Sequence, residues 1–212
     1  MIIQATVGVP IPGQIKNFNN FLMMNLELAG ACGVPATVKV SSFGTPNIEI
    51  STMMLFNDWE EHGAKVEEMR SHAKWKEIME YGGQTEAFGE TVDSYMSQLV
   101  RGFESEAKFS EGPILATAWR PEPGKLSDML TLFQESKEVH EAGGCMVRVF
   151  QILGGRYAGC FAYNMSFEDN IAYGKCMAAI QEGHAKIVQK AETNPSASLV
   201  AQFKMDNPVL VG

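Results

Sequence analysis

The chain lacks most of the features that announce a chemistry. Its four cysteines, Cys32, Cys145, Cys160 and Cys176, form no C-x-x-C pair, and none stands at zinc-finger spacing from a histidine. Free, buried thiols in a reducing cytoplasm are therefore the expectation, not a disulfide framework or a structural zinc. Runs of Lys or Arg are missing too. With 17 basic and 25 acidic residues the net charge is −8, so nucleic acid and anionic membrane are not expected partners. No apolar run approaches the ~20 residues of a membrane span. The opening stretch, MIIQATVGVP, has no basic n-region and reads as a strand. G-x-S-x-G, Walker, Rossmann and H-E-x-x-H motifs are all absent. Neither a metal nor a cofactor is expected.

What the chain does contain is itself, twice. Subtracting 111 from each position between Pro113 and Gly174 recovers the N-terminal third without a gap. Ile114, Ala116 and Thr117 fall on Ile3, Ala5 and Thr6; Pro123 and Gly124 fall on Pro12 and Gly13; Phe167 and Asp169 fall on Phe56 and Asp58. About a quarter of roughly 60 columns are identical, and a repeat that long means a duplicated domain rather than a solenoid. Further on, Ser94–Gln98 (SYMSQ) resembles Ser198–Gln202 (SLVAQ) at an offset of 104. That pairing predicts about seven extra residues in the first copy, in the Gly82–Gly89 loop, and matches Gln98 with Gln202. The predicted units are 1–110 and 111–212, with the break near Ser110–Gly112.

Each copy reads as strand, helix, strand, strand, helix, strand. Residues 2–9 and 114–120 are strands; Ile15, Phe18, Phe21, Leu22 and Leu26 recur at helical spacing, as do Leu126, Met129, Leu130 and Phe133. Residues 36–43 and 48–56, and 145–153 and 156–167, make strand pairs, the second through a Gly154-Gly155 turn. Asp58 and Asp169 are placed to cap long second helices, and 90–103 and 196–205 close the units. The fold class is α+β: two tandem ferredoxin-like β-α-β-β-α-β repeats. The hairpin strands are apolar on both faces, as at Met146, Val147, Val149, Phe150 and Ile152. The open sheet faces must therefore cover each other, giving an intrachain pseudo-dimer.

This pattern resembles the dimeric α/β-barrel superfamily, which includes antibiotic-biosynthesis monooxygenases and EthD-like, NIPSNAP-like and stress-responsive barrel proteins. The features that carry the resemblance are the element order, Pro-Gly before the first helix of each copy, and Phe56-Asn57-Asp58 and Phe167-Glu168-Asp169 after the third strands. Ser71-His72-Ala73-Lys74-Trp75-Lys76 also looks like a segment found late in the second helix of such proteins; at the 111 offset Gly183 stands where His72 does. The resemblance implies a fused barrel with a pocket between sheet and helices or between the sheets, and leaves further homodimerisation open.

His72 is the catalytic candidate, a general base by its ordinary pKa near 6.5, or else a solvated helix histidine. A ligand pocket is expected around Tyr163, Trp119, Thr117 and Thr6, mostly apolar with a few polar groups. Trp119 aligns with Gly8, so the two half-pockets should be unequal. His140 and His184 read as solvated, His62 and His72 as too badly spaced for a metal, and Arg120 and Arg148 as solvent-exposed or structurally paired, or else as binders of a carboxylate or enolate. Two functions fit. One is a cytoplasmic, cofactor-independent monooxygenase, isomerase or cyclase acting on a small carbonyl or aromatic compound. The other is a non-catalytic binding or stress-response barrel protein.

Overall fold

The structure is a computed structural model that describes residues 1–45, 47–84, 86–104 and 112–208. The predicted break at residues 110–112 lies mostly outside them. The first half runs β1 (Ile2–Pro10), α1 (Ile15–Ala31), β2 (Ala36–Phe43), β3 (Ile50–Phe56), α2 (Trp59–Ser71), α3 (Ala73–Gln84) and β4 (Gly89–Leu99). The second runs β5 (Ile114–Pro121), α4 (Leu126–Ala142), β6 (Met146–Ile152), β7 (Phe161–Ser166), α5 (Asn170–Ala179), α6 (Gln181–Thr193) and β8 (Ala197–Asp206). The eight antiparallel strands close into a barrel in the order β1-β3-β2-β8-β5-β7-β6-β4. The two sheets thus meet edge to edge, β2 with β8 and β4 with β6, as well as face to face.

Alternation along the strands sorts side chains to two sides of this wall. Ile3, Ala5, Met53, Ile114, Ala116, Phe150 and Met205 fill the barrel. The opposite faces pack against helices, around Met129, Phe133 and Met165 in the second half and around Leu28, Phe56 and Met69 in the first. Asp58 caps α2 by accepting from Glu61 N–H at 2.8 Å, and Asp169 caps α5 from Ala172 N–H at 2.7 Å.

Three expectations need correction. The long second helix of each half is two helices, broken at His72 and at Ile180. At the first break His72 takes ψ 143°, outside the helical range, and its backbone N–H bonds only to Met69 O. The hairpin turn at Gly154-Gly155 is part of an eight-residue connection, Leu153–Cys160, so Arg156–Cys160 lie outside the strand. The 104 offset is also wrong. Ile3 pairs with Ser97 and Ile114 with Met205, Thr6 with Ser94 and Thr117 with Gln202, so the fourth strands correspond at 108. The helix breaks obey the same figure, Ile180 answering His72. The first half is longer by three residues, matching α2's 13 residues against α5's 10, and Gln202 answers Ser94 rather than Gln98.

Side chains lock the seams between the halves. Lys39 on β2 is fully buried and donates from Nζ to Gly112 O (2.8 Å) and to Asn207. Gly44 has φ +92°, and a Cβ there would sit 2.1 Å from Gln202 O, so only glycine lets β2 approach β8. At one end of the barrel Arg156 bonds Glu49 through both terminal nitrogens and reaches Asp93 from Nε at 3.4 Å. Both carboxylates are buried. Replacing Arg156 by Met should strand them and destabilise the fold by about 2 kcal/mol, below the usual cost of breaking a fully buried pair because the guanidinium is partly wet. Urea denaturation of the variant measures this, with an unchanged midpoint as the contrary result.

Candidate functional site

A roomy space lies outside the barrel, between β5, β7 and β8 and the helices α4 and α6. It is a cavity of about 360 Å³. On α4, Met129, Phe133, Ser136 and His140 follow at steps of four, three and four and form that helix's buried face. From α6, His184, Ile187, Val188 and Ala191 supply the outer wall, yet α6 has no buried residue, because its apolar stripe faces the cavity. Leu115, Thr117, Trp119, Tyr163 and Met165 make the floor.

One polar chain crosses this apolar lining. Tyr163 Oη lies 2.8 Å from His140 Nδ1, and His140 Nε2 lies 3.2 Å from His184 Nδ1. On the floor, Trp119 Nε1–H donates to Thr117 Oγ1 at 2.8 Å, and Thr117 donates to Tyr163 O at 3.2 Å. His140 is 5% exposed, and burial, aided by the neighbouring His184, lowers its pKa to about 4. Burial also pushes the Tyr163 hydroxyl well above its ordinary range. Both groups are therefore neutral near pH 7. The carbonyl of His140 accepts from the Cys145 thiol at 3.2 Å, with Cys176 at 3.7 Å, so the two thiols hold the end of α4. Burial raises the pKa of the Cys145 thiol, which stays protonated.

Of the residues singled out from sequence, Tyr163, Trp119 and Thr117 come together here. Thr6 is exposed on β1 in the other half. His72 lines no part of this cavity; its Nδ1 accepts from Lys74 N–H at 3.2 Å and caps α3. His140, read as solvated, is buried beside Tyr163, and its helical spacing from Met129 and Phe133 was the signal for it. His184 is exposed, but its ring touches His140.

In the first half, aromatic side chains crowd the corresponding place. Phe18 occupies the room that Gly8 leaves: a Cβ on Gly8 would meet the Phe18 ring at 2.9 Å, and one on Gly89 at 2.3 Å. Phe88 then packs on Phe18, Phe21 and Tyr81 with ring centres 5.2–6.4 Å apart. By the strand and helix registers Phe88 corresponds to Ser196, Phe18 to Met129, Ala29 to His140 and Thr52 to Tyr163. The barrel interior offers only about 60 Å³, room for a few waters, beside Tyr95 and Asn164. Burial, with the nearby Asp93, raises the Tyr95 hydroxyl to about 12. Among the described residues no group of three His, Cys, Asp or Glu could hold a metal, and no helix is long and apolar enough to cross a membrane.

No family model and no curated protein matches the sequence. Solved structures do match. A candidate monooxygenase from Fusobacterium nucleatum superposes with TM-score 0.58 at 9% identity, over 97% of this chain and 94% of its own. An anthrone oxidase-like protein gives 0.55 at 8% identity, over 96% and 90%. The encapsulated DyP-type peroxidase from Mycobacterium smegmatis gives 0.58 at 8% identity, over 99% and 93%. The chain has the dimeric α/β-barrel fold. Within that fold, the cavity sits where the outer face of one half-barrel meets its helices.

The buried imidazole has a measurable consequence. Below about pH 6.5 the unfolded chain protonates His140, whereas the folded chain resists until about pH 4. The unfolded state binds more protons across that window, so stability falls as pH falls through it, by up to about 3 kcal/mol from this group. Chemical denaturation at pH 7 and pH 4.5 should show the loss, and His140→Gln should remove that share of it. Identical pH slopes in the two proteins would contradict the assignment.

Proposed function

We propose that this is a small-molecule-binding barrel whose single site is the second-half cavity, and that it acts as a cofactor-independent oxygenase on an apolar aromatic carbonyl compound. The carrying observation is the neutral Tyr163–His140 pair opening onto about 360 Å³ of mostly apolar space, where Thr52 and Ala29 stand at the matching positions of the first half. Such a site has the make-up of a small-ligand pocket: apolar walls and a few convergent polar groups. Tyr163 is the residue that would touch the substrate oxygen; Trp119 and Phe133 would lie against its rings. His72 and Thr6 have no part in this reading.

We read the architecture behind it as two fused ferredoxin-like copies, 1–110 and 111–212, of which one kept an open site. Support comes from the ladder registers: β1–β3 and β5–β7 correspond at 111 throughout, Ile2 with Phe56 answering Pro113 with Phe167 through the Phe167 N–H to Pro113 O bond of 3.0 Å.

Anthrone is a fitting trial substrate, being a flat aromatic ketone that O₂ converts to anthraquinone and water. Oxygen uptake should rise with the protein present, and Tyr163→Phe should lower the turnover by about two orders of magnitude, the worth of a positioned acid–base group. Calorimetry should find one site per chain, and Trp119→Ala should weaken binding by roughly 1–3 kcal/mol through lost aromatic burial. Two equivalent sites would refute the asymmetry. Binding without turnover would leave the second reading, a carrier or stress-response binding protein of this fold.

A further inference from the structure

We propose that Tyr163, His140 and His184 form a proton wire from the cavity to solvent, and that the ligand it serves carries an acidic hydroxyl, a phenol or the enol of an aryl ketone. This rests on the cavity being the ligand site. The wire has a buried end and a wet end. All three residues border the cavity, Tyr163 and His140 from buried positions and His184 from an exposed one on α6, where it meets solvent. Each junction is within hydrogen-bond reach, 2.8 Å and 3.2 Å, and both nitrogens of His140 are used, one on each side. An imidazole held this way takes a proton on one nitrogen while releasing another from its second.

The transfer balances without a charge on any wire group. Initially Tyr163 O–H donates to His140 Nδ1, and His140 Nε2–H donates to His184 Nδ1. The ligand hydroxyl passes its proton to Tyr163 Oη as the tyrosine proton moves to His140 Nδ1. The Nε2 proton of His140 moves to His184 Nδ1, and His184 Nε2 releases its proton to water. The ligand becomes an anion, one proton reaches solvent, and both imidazoles exchange tautomers. This suits an imidazole that burial keeps neutral. The other ionisable groups beside His140 are engaged elsewhere: Cys145 and Cys176 face its carbonyl, and Glu141 is held by Lys137 and by Val147 N–H. The positions answering His140 and Tyr163 in the first half are Ala29 and Thr52, so the path is peculiar to the open cavity.

Two measurements decide it. In the ligand-free protein, exchange of the His140 ring N–H with water, followed by NMR saturation transfer, should slow by about a hundredfold in His184→Leu, the scale of losing a positioned proton-transfer group. His184→Gln, which keeps a hydrogen-bonding partner but cannot tautomerise, should behave alike and decides the matter if the leucine variant folds poorly. Wild-type exchange rates in the glutamine variant would overturn the wire. For the ligand class, binding of 2-naphthol and 2-methylnaphthalene is followed by tryptophan fluorescence. Tyr163→Phe should cost 2-naphthol about tenfold in affinity and spare 2-methylnaphthalene. Equal effects on both would overturn the hydroxyl assignment. Failure of both probes to bind would sink the cavity as ligand site and the hydroxyl class with it, while the exchange rates would still judge the wire.

Discussion

Everything in this molecule depends on closing the sheet. A four-stranded sheet presents two rows of unpaired backbone groups, and such edges invite association with other strands. Here β2 finds β8 and β4 finds β6, so every edge is consumed within the chain. Each seam is short, with three paired positions. Side chains reinforce them from both halves: Lys39 reaching Gly112, and Glu49 and Asp93 gripping Arg156. Closure buries the inner faces and forces all helices outside. The outer faces are then the places where sheet and helix can part enough to admit a ligand.

The two halves show how little is needed to open or shut such a space. Their frames correspond strand for strand, yet a glycine at position 8 and a phenylalanine at position 18 fill one cleft, while Trp119 and Met129 leave the other open. Phe88 against Ser196 completes the contrast. Aromatic rings are bulky and rigid, so the three that pack on Phe88 take up much of that cleft. The polar groups segregate with the space: Tyr163, His140 and His184 line the open side, where Thr52, Ala29 and Lys76 occupy the matching positions.

Much of this was legible in the sequence. The strand order and both aspartate caps follow from spacing and residue type, whereas the Trp119–Gly8 contrast pointed to room beside Gly8, which Phe18 takes. The fourth-strand register did not follow, because S-Y-M-S-Q and S-L-V-A-Q resemble each other while the ladders pair four residues away. In a two-sided antiparallel strand, local similarity carries no register; the partner strand does. The helix breaks at His72 and Ile180 carry no proline or glycine to announce them. His140 was readable in principle, since Met129, Phe133, Ser136 and His140 share one face of α4, but a histidine amid charged neighbours looks solvated until a tyrosine from a strand meets it. His72 drew attention through a motif, whereas its geometry is that of a cap.

The pairing of β2 with β8 also says something about manufacture. A ribosome delivers residues 36–43 well before residues 197–206, about 150 positions later. Through that interval the nascent first half holds two bare edges, at β2 and β4, with the strands that will sheathe them not yet made. Partly built barrels of this kind are exposed to pairing with a neighbouring nascent chain, since a second copy's β6 and β8 offer the same complement. The tether between the halves therefore acts on kinetics: it keeps the intended partner at high local concentration from the moment of its synthesis. Cut into two genes, the same halves would have to find each other by diffusion, and the competition between right and wrong edges would be set by expression level.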